Sequence, residues 1–234
     1  MSVEIKSVSD TVADYLRHQI IVGRLGANQR INENDLASAL GVSRPPIREA
    51  FRTLESEHLI VSVPRKGTYV ADVSIEDATG LYQTREMIEG YAIYLLKSMK
   101  VRDLPQVEAT LQEASSMTLP SIDNPDDLRH FLKAFVGFHS GLVEATGNLR
   151  IIRFYESISL HLTRYQMIYF FVPGSLGKST QDHAEILNLI KAGKFGEAKK
   201  SLLNHIRYTT KVLENKMLQN RFGLQASLPK RSVR

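Results

Sequence analysis

Three histidines have the residue type and spacing that most directly indicate a binding site: His139, His183 and His205. His183 and His205 each lie eleven residues from Lys194, the middle of a break between two helical patterns. In an antiparallel helical hairpin, residues equally far from the turn lie at the same height, and two level imidazoles can chelate a divalent cation. Each histidine alone is also compatible with a hydrogen-bonded core residue, so a metal site and a structural role both remain open.

A second polar group lies on the apolar face of the helical pattern that begins near residue 74. Arg85 falls between Leu81 and Ile88 at core spacing, and Glu89 follows one turn later. Because burying an unpaired charge is costly, Arg85 needs a partner. Two interpretations remain: a structural Arg85–Glu89 ion pair, or a guanidinium that faces an anionic ligand.

Residues 41–50 (GVSRPPIREA) have the pattern of an interhelical turn followed by a helix that contacts DNA. Gly41 permits the positive φ of a tight turn, and Ser43 is predicted to cap the helix with its side chain. Pro45 and Pro46 fall in the first turn, where a missing N–H costs little. Guanidinium groups, which pair with guanine edges or phosphates, recur every four residues beside an apolar stripe. They belong to Arg44, Arg48 and Arg52.

The flanking patterns complete a winged helix-turn-helix. They predict two helices before this segment and two strands after it, at residues 11–22, 35–40, 59–63 and 68–70. Either Asn32 or Asn34 could cap the second helix. The turn between the strands is basic and would contact phosphate or the minor groove. Its residues are Pro64, Arg65, Lys66 and Gly67.

Residues 11–70 resemble the DNA-binding domain of the GntR family of bacterial transcription regulators. The matching positions are Ile20, Gly23, Leu25, residues 31–37 (INENDLA), residues 41–50, Leu54, residues 64–67 and Val70. One departure is the turn at residues 26–28 (GAN), where the family usually has a Pro-Gly pair. The resemblance implies that nine residues bind operator DNA: Asn34, Ser43, Arg44, Pro45, Pro46, Arg48, Arg65, Lys66 and Gly67.

From residue 74 onward, long helical patterns replace the strand signals. They predict six helices with short connections, at residues 74–99, 103–117, 124–145, 148–171, 177–192 and 195–220. Helices of this length with short connections form an antiparallel bundle. The predicted fold class is therefore mainly α, with an N-terminal winged helix-turn-helix followed by a C-terminal antiparallel all-helical bundle.

This second half resembles the FCD-type helical effector domain of the FadR subfamily of GntR regulators, and six helices suggest the VanR-like branch. The matching positions are Arg85, Glu86, Glu89, Gly90, Phe138, His139, Leu142, residues 145–148 (ATGN), His183, Ile186, Leu187, Ile190, Gly193 and His205. The resemblance implies a small carboxylate effector in the bundle. The residues implied in its binding are Arg85, Glu89, His139, His183 and His205.

Many members of the subfamily bind a divalent metal ion through three histidines and an Asp four residues before the first of them. Here that position is Phe135, which cannot be a ligand. A site of His139, His183 and His205 alone carries no ligand charge, so it should bind an ion of the Zn or Ni type more weakly. Water or an effector carboxylate could complete the shell. The alternative is a metal-free pocket in which the histidines donate hydrogen bonds to the ligand acid.

The composition excludes several classes of protein. The chain has 234 residues, a net charge of +5 and a pI near 9.3, which suit a nucleic-acid partner. It contains no cysteine, which excludes disulfides and thiolate metal sites. Residues 1–9 are too polar for a signal peptide, and the longest apolar run, residues 167–172, is far shorter than the ~20 residues of a membrane span. We expect a cytoplasmic protein that does not enter a membrane.

The sequence predicts a DNA-binding domain at residues 1–72, an effector-binding and dimerisation domain at 73–220, and a basic, disordered tail at 221–234. The predicted function is that of a homodimeric repressor, not an enzyme, whose binding to double-stranded operator DNA responds to a small acid. One alternative is a metal-dependent hydrolase that uses the three histidines, although no general base with HExxH-type spacing accompanies them. The other is an architectural DNA binder that takes no ligand.

Overall fold

The computed structural model describes residues 6–223 of the chain and the side chains of residues 6–219. It divides into two compact units. The first holds the chain up to Val73 together with the segment Ser157–Arg164, and the second holds the segments 74–156 and 165 onward. No helix among the described residues is both long enough and apolar enough to cross a membrane.

Among its described residues, the first unit contains three complete helices, a small antiparallel sheet and the segment Ser157–Arg164 of a later helix. In chain order they are α1 (Val8–Ile21), β1 (Arg30–Ile31), α2 (Glu33–Leu40), α3 (Arg44–Ser56), β2 (Ile60–Val63) and β3 (Gly67–Val70). The strand order is β1-β3-β2, with Val61 opposite Tyr69 and Arg30 opposite Tyr69 on the other side. The predicted two-stranded wing is therefore a three-stranded sheet, because a strand as short as β1 leaves no alternating pattern in the sequence.

Side-chain caps fix where the first two helices begin. Ser7 and Asp10 form a capping box, so α1 begins three residues before the predicted start at Thr11. The Asn32 side chain accepts a hydrogen bond from the Asn34 N–H at 2.9 Å, so Asn32 is the cap and α2 begins at Glu33 rather than Asp35.

The core of the first unit is formed by one face of each helix and the inner side of the sheet. The largest fully buried side chains at its centre are Leu16, Ile20, Ile47, Leu54 and Leu59. Because Ile47 and Leu54 lie two turns apart on α3, the opposite face of that helix is left outside the core.

The second unit contains six helices among its described residues, as predicted. They are α4 (Ile75–Met99), α5 (Pro105–Ser115), α6 (Pro125–Glu144), α7 (Leu149–Phe170), α8 (Ser175–Lys191) and α9 (Phe195–Gly223). Residues 221–223 continue α9, which shortens the predicted tail, and the rest of that tail lies outside the described residues. The side chains of Asn124 and Asn148 cap α6 and α7, so both helices begin at the predicted breaks.

Two glycines allow α6 to lie against α5. A Cβ atom on Gly141 would lie 2.8 Å from Cγ2 of Val107, and one on Gly137 would lie 3.0 Å from Cγ2 of Thr110. Four residues separate the two glycines, so they form one flat strip on α6. This close packing holds α6, and with it His139, in a fixed position.

Candidate DNA-binding surface and histidine cavity

The turn between α2 and α3 has the geometry that its residues predict, with one exception. Gly41 has φ 65°, and Ser43 is the N-cap residue of α3. The Ser43 side chain makes no capping hydrogen bond, contrary to prediction. A capping hydroxyl accepts from the N–H of the second or third helical residue, and those residues are Pro45 and Pro46, which have none. The Ser43 hydroxyl is therefore left exposed.

The outer face of α3 presents cationic side chains. Arg44 and Arg48 are exposed, while Ile47 between them is buried. Arg52 is exposed too, but its Nη1 bonds Oε1 of Glu49 at 2.6 Å. Asn34, Ser43 and Arg44 line one shallow surface groove at the start of α3. The guanidinium groups of Arg44 and Arg48 have no ion-pair partner in the part of the chain that the structure describes, so they are suited to phosphate and base-edge contacts.

The tip of the wing adds further positive charge. Arg65 and Lys66 are exposed, and both Arg65 and Gly67 have positive φ, 63° and 116°. A Cβ on Gly67 would lie 3.0 Å from Nε of Arg30, so the absence of a side chain there lets this guanidinium lie across the wing. Sequence reasoning missed Arg30, because only the pairing of β1 with β3 brings it to the wing.

In the second unit, the three predicted histidines converge in one buried cavity. His139 comes from α6, His183 from α8 and His205 from α9, and all three are at least 95% buried. One ligand nitrogen from each lies within 4.8 Å of the others. The Nε2 atoms of His183 and His205 are 3.2 Å apart, which agrees with the predicted equal height in the α8–α9 hairpin.

Two carboxylates orient two of the three rings. His139 bonds Oε2 of Glu89 through Nδ1 at 2.7 Å, and His205 bonds Oδ2 of Asp182 through Nδ1 at 3.1 Å. Each of these rings thereby has its Nε2 atom free of the carboxylate, and that of His205 pairs with Nε2 of His183. A carboxylate behind the imidazole is the usual support of a metal-ligating histidine. The third ring, His183, stacks on Phe138 with centroids 4.0 Å apart.

The Glu89 carboxylate also binds Arg85 and Tyr155. Its Oε1 accepts hydrogen bonds from Nε of Arg85 at 2.6 Å and from the Tyr155 hydroxyl at 3.0 Å. The ion pair between Arg85 and Glu89 that the structural interpretation predicts is therefore present. The Nη2 atom of Arg85, however, is buried and has no hydrogen-bond partner among the described residues. The same is true of Oε1 of Gln166, and both side chains line the cavity.

Burial sets the charge state of these groups. It lowers the pKa of His139 and of His183 well below the ordinary value, and the Arg85 guanidinium adds to both shifts. Burial also lowers the pKa of His205, although Asp182 opposes that change. Burial alone would lower the pKa of Arg85, but Glu89 raises it above its ordinary value. The cavity therefore contains neutral imidazoles beside a permanent cation.

The donor set fits a divalent metal ion in part. Three neutral imidazole nitrogens with oriented rings suit Zn or Ni. Phe135 lines the cavity and offers no ligand atom, and the nearby Arg85 charge opposes a bare cation. The enclosed space is about 10 Å³, which is about the volume that one water molecule needs. The cavity thus accommodates one ion as it stands. A carboxylate that balances the ion and Arg85 would fit only if the lining side chains move apart.

The residues around this cavity that sequence reasoning missed include three that matter for its polar contacts. Gln166, Asp182 and Tyr155 each lie within hydrogen-bonding or lining distance of the predicted group. For Asp182 the one signal in the sequence is that it immediately precedes His183. Nothing in the sequence indicates that α7 brings Gln166 and Tyr155 to this side of the bundle.

The two halves of the chain match two family models. Residues 8–70 match the model described as bacterial regulatory proteins, gntR family, and residues 80–208 match the FCD domain. A relative from Paenarthrobacter nicotinovorans, named "Probable D-xylose utilization operon transcriptional repressor", is 26% identical over 86% of this chain and 86% of its own length. The "Nta operon transcriptional regulator" of Aminobacter aminovorans is 28% identical over 80% of this chain and 85% of its own.

Solved structures show the same architecture. The crystal structure of a GntR transcriptional regulator from Rhodococcus sp. RHA1 is similar with a TM-score of 0.68 and 25% identity. It covers 90% of this chain and 99% of its own. The family consists of regulators rather than enzymes, so the three histidines do not make this protein a hydrolase. The chain belongs to the GntR family of bacterial transcription regulators, with a winged helix-turn-helix followed by an FCD domain.

Proposed function

We propose that the protein is a cytoplasmic, homodimeric repressor of the FadR subfamily whose operator binding is controlled by a small carboxylate in the histidine cavity. In this proposal residues 1–72 bind DNA, and residues 73–220 bind the effector and form the dimer. The six helices of the described second unit support the VanR-like branch. The repressor role is supported by the name of the relative from Paenarthrobacter nicotinovorans.

The observation that carries the effector proposal is the buried Nη2 atom of Arg85, which has no partner among the described residues although Arg85 lines the cavity. A buried guanidinium N–H without an acceptor is costly, and a carboxylate oxygen is the acceptor that best satisfies it. The Arg85 side chain is 1% exposed, so water does not satisfy this N–H from bulk solvent. The side-chain Oε1 of Gln166, which also has no partner among the described residues, can accept a hydrogen bond from a hydroxyl of the same ligand.

A divalent ion of the Zn or Ni type would be held by Nε2 of His139 and His205 together with His183. When bound, the ion supplies positive charge that attracts a carboxylate oxygen into its shell. Because the ligand set is neutral and Arg85 is close, the ion and the acid should bind better together than separately. Glu89 and Asp182 keep the two rings oriented whether or not the acid is present.

On the DNA side, α3 would enter the major groove and the wing would contact the backbone. Arg44 and Arg48 are the proposed base or phosphate contacts, with Ser43, Pro45 and Pro46 next to the backbone. Asn34 at the start of α2 and the wing residues Arg65, Lys66 and Gly67 complete the set. Effector control requires that the acid bind two arrangements of the dimer with different affinities.

The test is a titration of the protein bound to a labelled operator, selected in vitro from random DNA. Acetate, glycolate, malate and citrate are added in turn, with and without zinc or nickel chloride, while fluorescence anisotropy reports DNA binding. We expect at least one acid to change the operator affinity. Gln166→Leu should weaken that response while unliganded DNA binding stays the same, and the exposed Gln112→Leu serves as its control. DNA binding that ignores every acid and metal would reject the effector proposal.

A further inference from the structure

Arg30 is an exposed cation on β1, the edge strand of the sheet in the first unit. Its side chain forms no ion pair and no hydrogen bond within the part of the chain that the structure describes. The next residue, Ile31, is 7% exposed and belongs to the core. Because successive side chains of a strand point to opposite faces, Arg30 lies on the outer face of the sheet.

The register of the sheet places Arg30 beside the hairpin of β2 and β3 that forms the wing. Arg30 is paired with Tyr69, so their side chains share one face, and Gly67 lies two residues earlier on the same strand as Tyr69. Gly67 is thus the diagonal neighbour of Arg30 on that face. A Cβ on Gly67 would lie 3.0 Å from Nε and 3.3 Å from Nη2 of Arg30. The guanidinium therefore occupies the space that a side chain at position 67 would fill.

This placement carries the positive charge of Arg30 toward the tip of the wing. Two residues of a strand span about 7 Å, so the guanidinium lies about that far along β3 from the level of Tyr69. Gly67, which it contacts, directly follows Lys66 in the turn of the wing. Arg65 and Lys66 are exposed, and neither forms an ion pair among the described residues. Three basic side chains, from β1 and from the β2–β3 turn, therefore belong to one end of the sheet.

Other arginines of the same unit are neutralised by glutamates, whereas Arg30 is not. Arg17 pairs with Glu57 through Nη2 at 2.7 Å, and Arg52 pairs with Glu49 through Nη1 at 2.6 Å. Those guanidinium groups already have an anionic partner in the protein. The Arg30 guanidinium has a defined position on the wing but no anion within the described residues, so it is the one of these three that is open to an anion from outside.

We infer that Arg30 donates hydrogen bonds to a phosphate of the DNA backbone beside the wing. The planar guanidinium offers N–H groups in a fork that matches two phosphate oxygens. Base edges are contacted from inside a groove, and Arg30 lies on the sheet rather than on α3, so the backbone is the part of DNA that its position suits. The contact presupposes the proposed binding of operator DNA, and it adds to the DNA-binding surface a residue from outside the helix-turn-helix and the turn of the wing.

The first test measures the affinity of the full chain for the selected operator by fluorescence anisotropy at several salt concentrations. Arg30→Ala should raise the dissociation constant about tenfold or more, as for loss of a charge-assisted hydrogen bond. It should also reduce the magnitude of the slope of log affinity against log salt concentration by about 1. Arg30→Lys should keep that slope because it keeps the charge. It should recover only part of the affinity, because an ammonium lacks the guanidinium fork.

The matched control is Arg129→Ala, which changes the net charge by the same amount. The Arg129 side chain is 65% exposed on α6, in the second unit. The affinity and the salt slope of this variant should stay near those of the unmodified protein. A loss as large as that of Arg30→Ala would show that affinity follows net charge, and it would overturn the contact. Circular dichroism checks that all three variants remain folded.

The second test locates the phosphate. Operator duplexes are synthesised that each carry one methylphosphonate, in which a neutral methyl group replaces one charged phosphate oxygen. At one position in each half of the operator, this substitution should weaken binding of the unmodified protein about tenfold but that of Arg30→Ala less than about twofold. At every other sensitive position the two proteins should lose affinity alike.

The outcomes distinguish this contact from the proposed function. If Arg30→Ala keeps the affinity of the unmodified protein, or its sensitivity to every phosphate, Arg30 does not contact DNA while the regulator proposal stands. If the variant loses sensitivity at several neighbouring phosphates together, Arg30 holds the wing in position and the direct contact is overturned. If the unmodified chain selects no operator from random DNA, the contact and the proposed function both fail.

Discussion

Arg85 and Glu89 form a buried ion pair one turn apart on α4, with Nε and Oε1 separated by 2.6 Å and side chains that are 1% and 0% exposed. The second oxygen of Glu89 holds His139. One carboxylate thus fixes both the cation and a ring of the histidine cavity, while Nη2 of Arg85, a residue that lines the cavity, has no hydrogen-bond partner among the described residues. The structural and functional interpretations of Arg85 therefore involve different nitrogen atoms of one guanidinium.

Removing the Glu89 charge should destabilise the protein strongly. Glu89→Gln leaves Arg85 buried without a counter-charge, and breaking a buried pair in this way costs about 3–5 kcal/mol. Urea denaturation followed by circular dichroism measures the free energy of unfolding.

The matched control is Glu86→Gln on the same helix. Its carboxylate bonds Nη2 of Arg207 at 2.8 Å, but the Arg207 side chain is 58% exposed. Exposed pairs contribute about 0–1 kcal/mol, so this change should be small. Equal losses in the two variants would contradict the role assigned to burial.

The sequence was sufficient to predict most of the fold because its signals are local. Caps and Gly or Pro breaks fixed the six helices of the second unit, and period 3.6 placed Ile47 and Leu54 in the core. It was not sufficient where tertiary pairing decides. The strand β1 exists because β3 lies beside it. The missing Ser43 cap bond has a local cause instead, since Pro45 and Pro46 have no N–H to donate.

The histidine cavity was predicted in part for the same reason. His183 and His205 are equally far along the sequence from the turn at Lys194, which predicts that they lie level in the hairpin. Their Nε2 atoms are indeed 3.2 Å apart. The carboxylates behind the rings come from Glu89 and Asp182, and hydrogen bonds across 50 and 23 residues leave no periodic signal. The meeting of His183 and His205 was therefore predictable, whereas the orientation of the rings and the unpartnered Arg85 nitrogen were not.

Arg48→Ala should weaken operator binding by about 1–3 kcal/mol if Arg48 contacts a base. Arg48 is exposed on the outer face of α3. A gel shift at fixed ionic strength measures the affinity, and repeats at several salt concentrations distinguish the type of contact. Loss of a base contact leaves the slope of log affinity against log salt concentration unchanged, whereas loss of a phosphate contact reduces the magnitude of that slope by about 1.

Arg52→Ala provides the control for Arg48, since it removes the same side chain one turn later on the same helix. Its guanidinium is already shared with Glu49 at 2.6 Å, so we expect a smaller loss of affinity. If Arg52→Ala weakens binding as much as Arg48→Ala, the loss reflects net charge rather than position on α3.

Gly141→Ala should destabilise the second unit by about 1–3 kcal/mol. The new Cβ would lie 2.8 Å from Cγ2 of Val107, and overpacking of this kind forces the helices apart. Gly177→Ala on α8 has no atom within 4 Å and should instead stabilise by up to about 1 kcal/mol. Thermal and urea unfolding measure both, and a stable Gly141→Ala variant would show that α5 and α6 are not closely packed.

Phe135→Asp should raise the affinity for zinc or nickel at least about tenfold. The side chain at position 135 lines the cavity one turn before His139, so a carboxylate there adds a charged oxygen ligand to three neutral nitrogens. Calorimetric titration of the metal-free protein measures the affinity directly.

Phe135→Asn separates the added charge from the loss of the phenyl ring. Asn at position 135 leaves the same space as Asp does but offers a neutral oxygen, so the metal affinity of this variant should stay near that of the unmodified chain. A gain in Phe135→Asp that Phe135→Asn does not share would show that the missing carboxylate limits metal binding, because the rest of the ligand set is identical. Equal affinities in all three proteins would mean that Arg85 pairs with the new carboxylate or that the three histidines do not bind the metal.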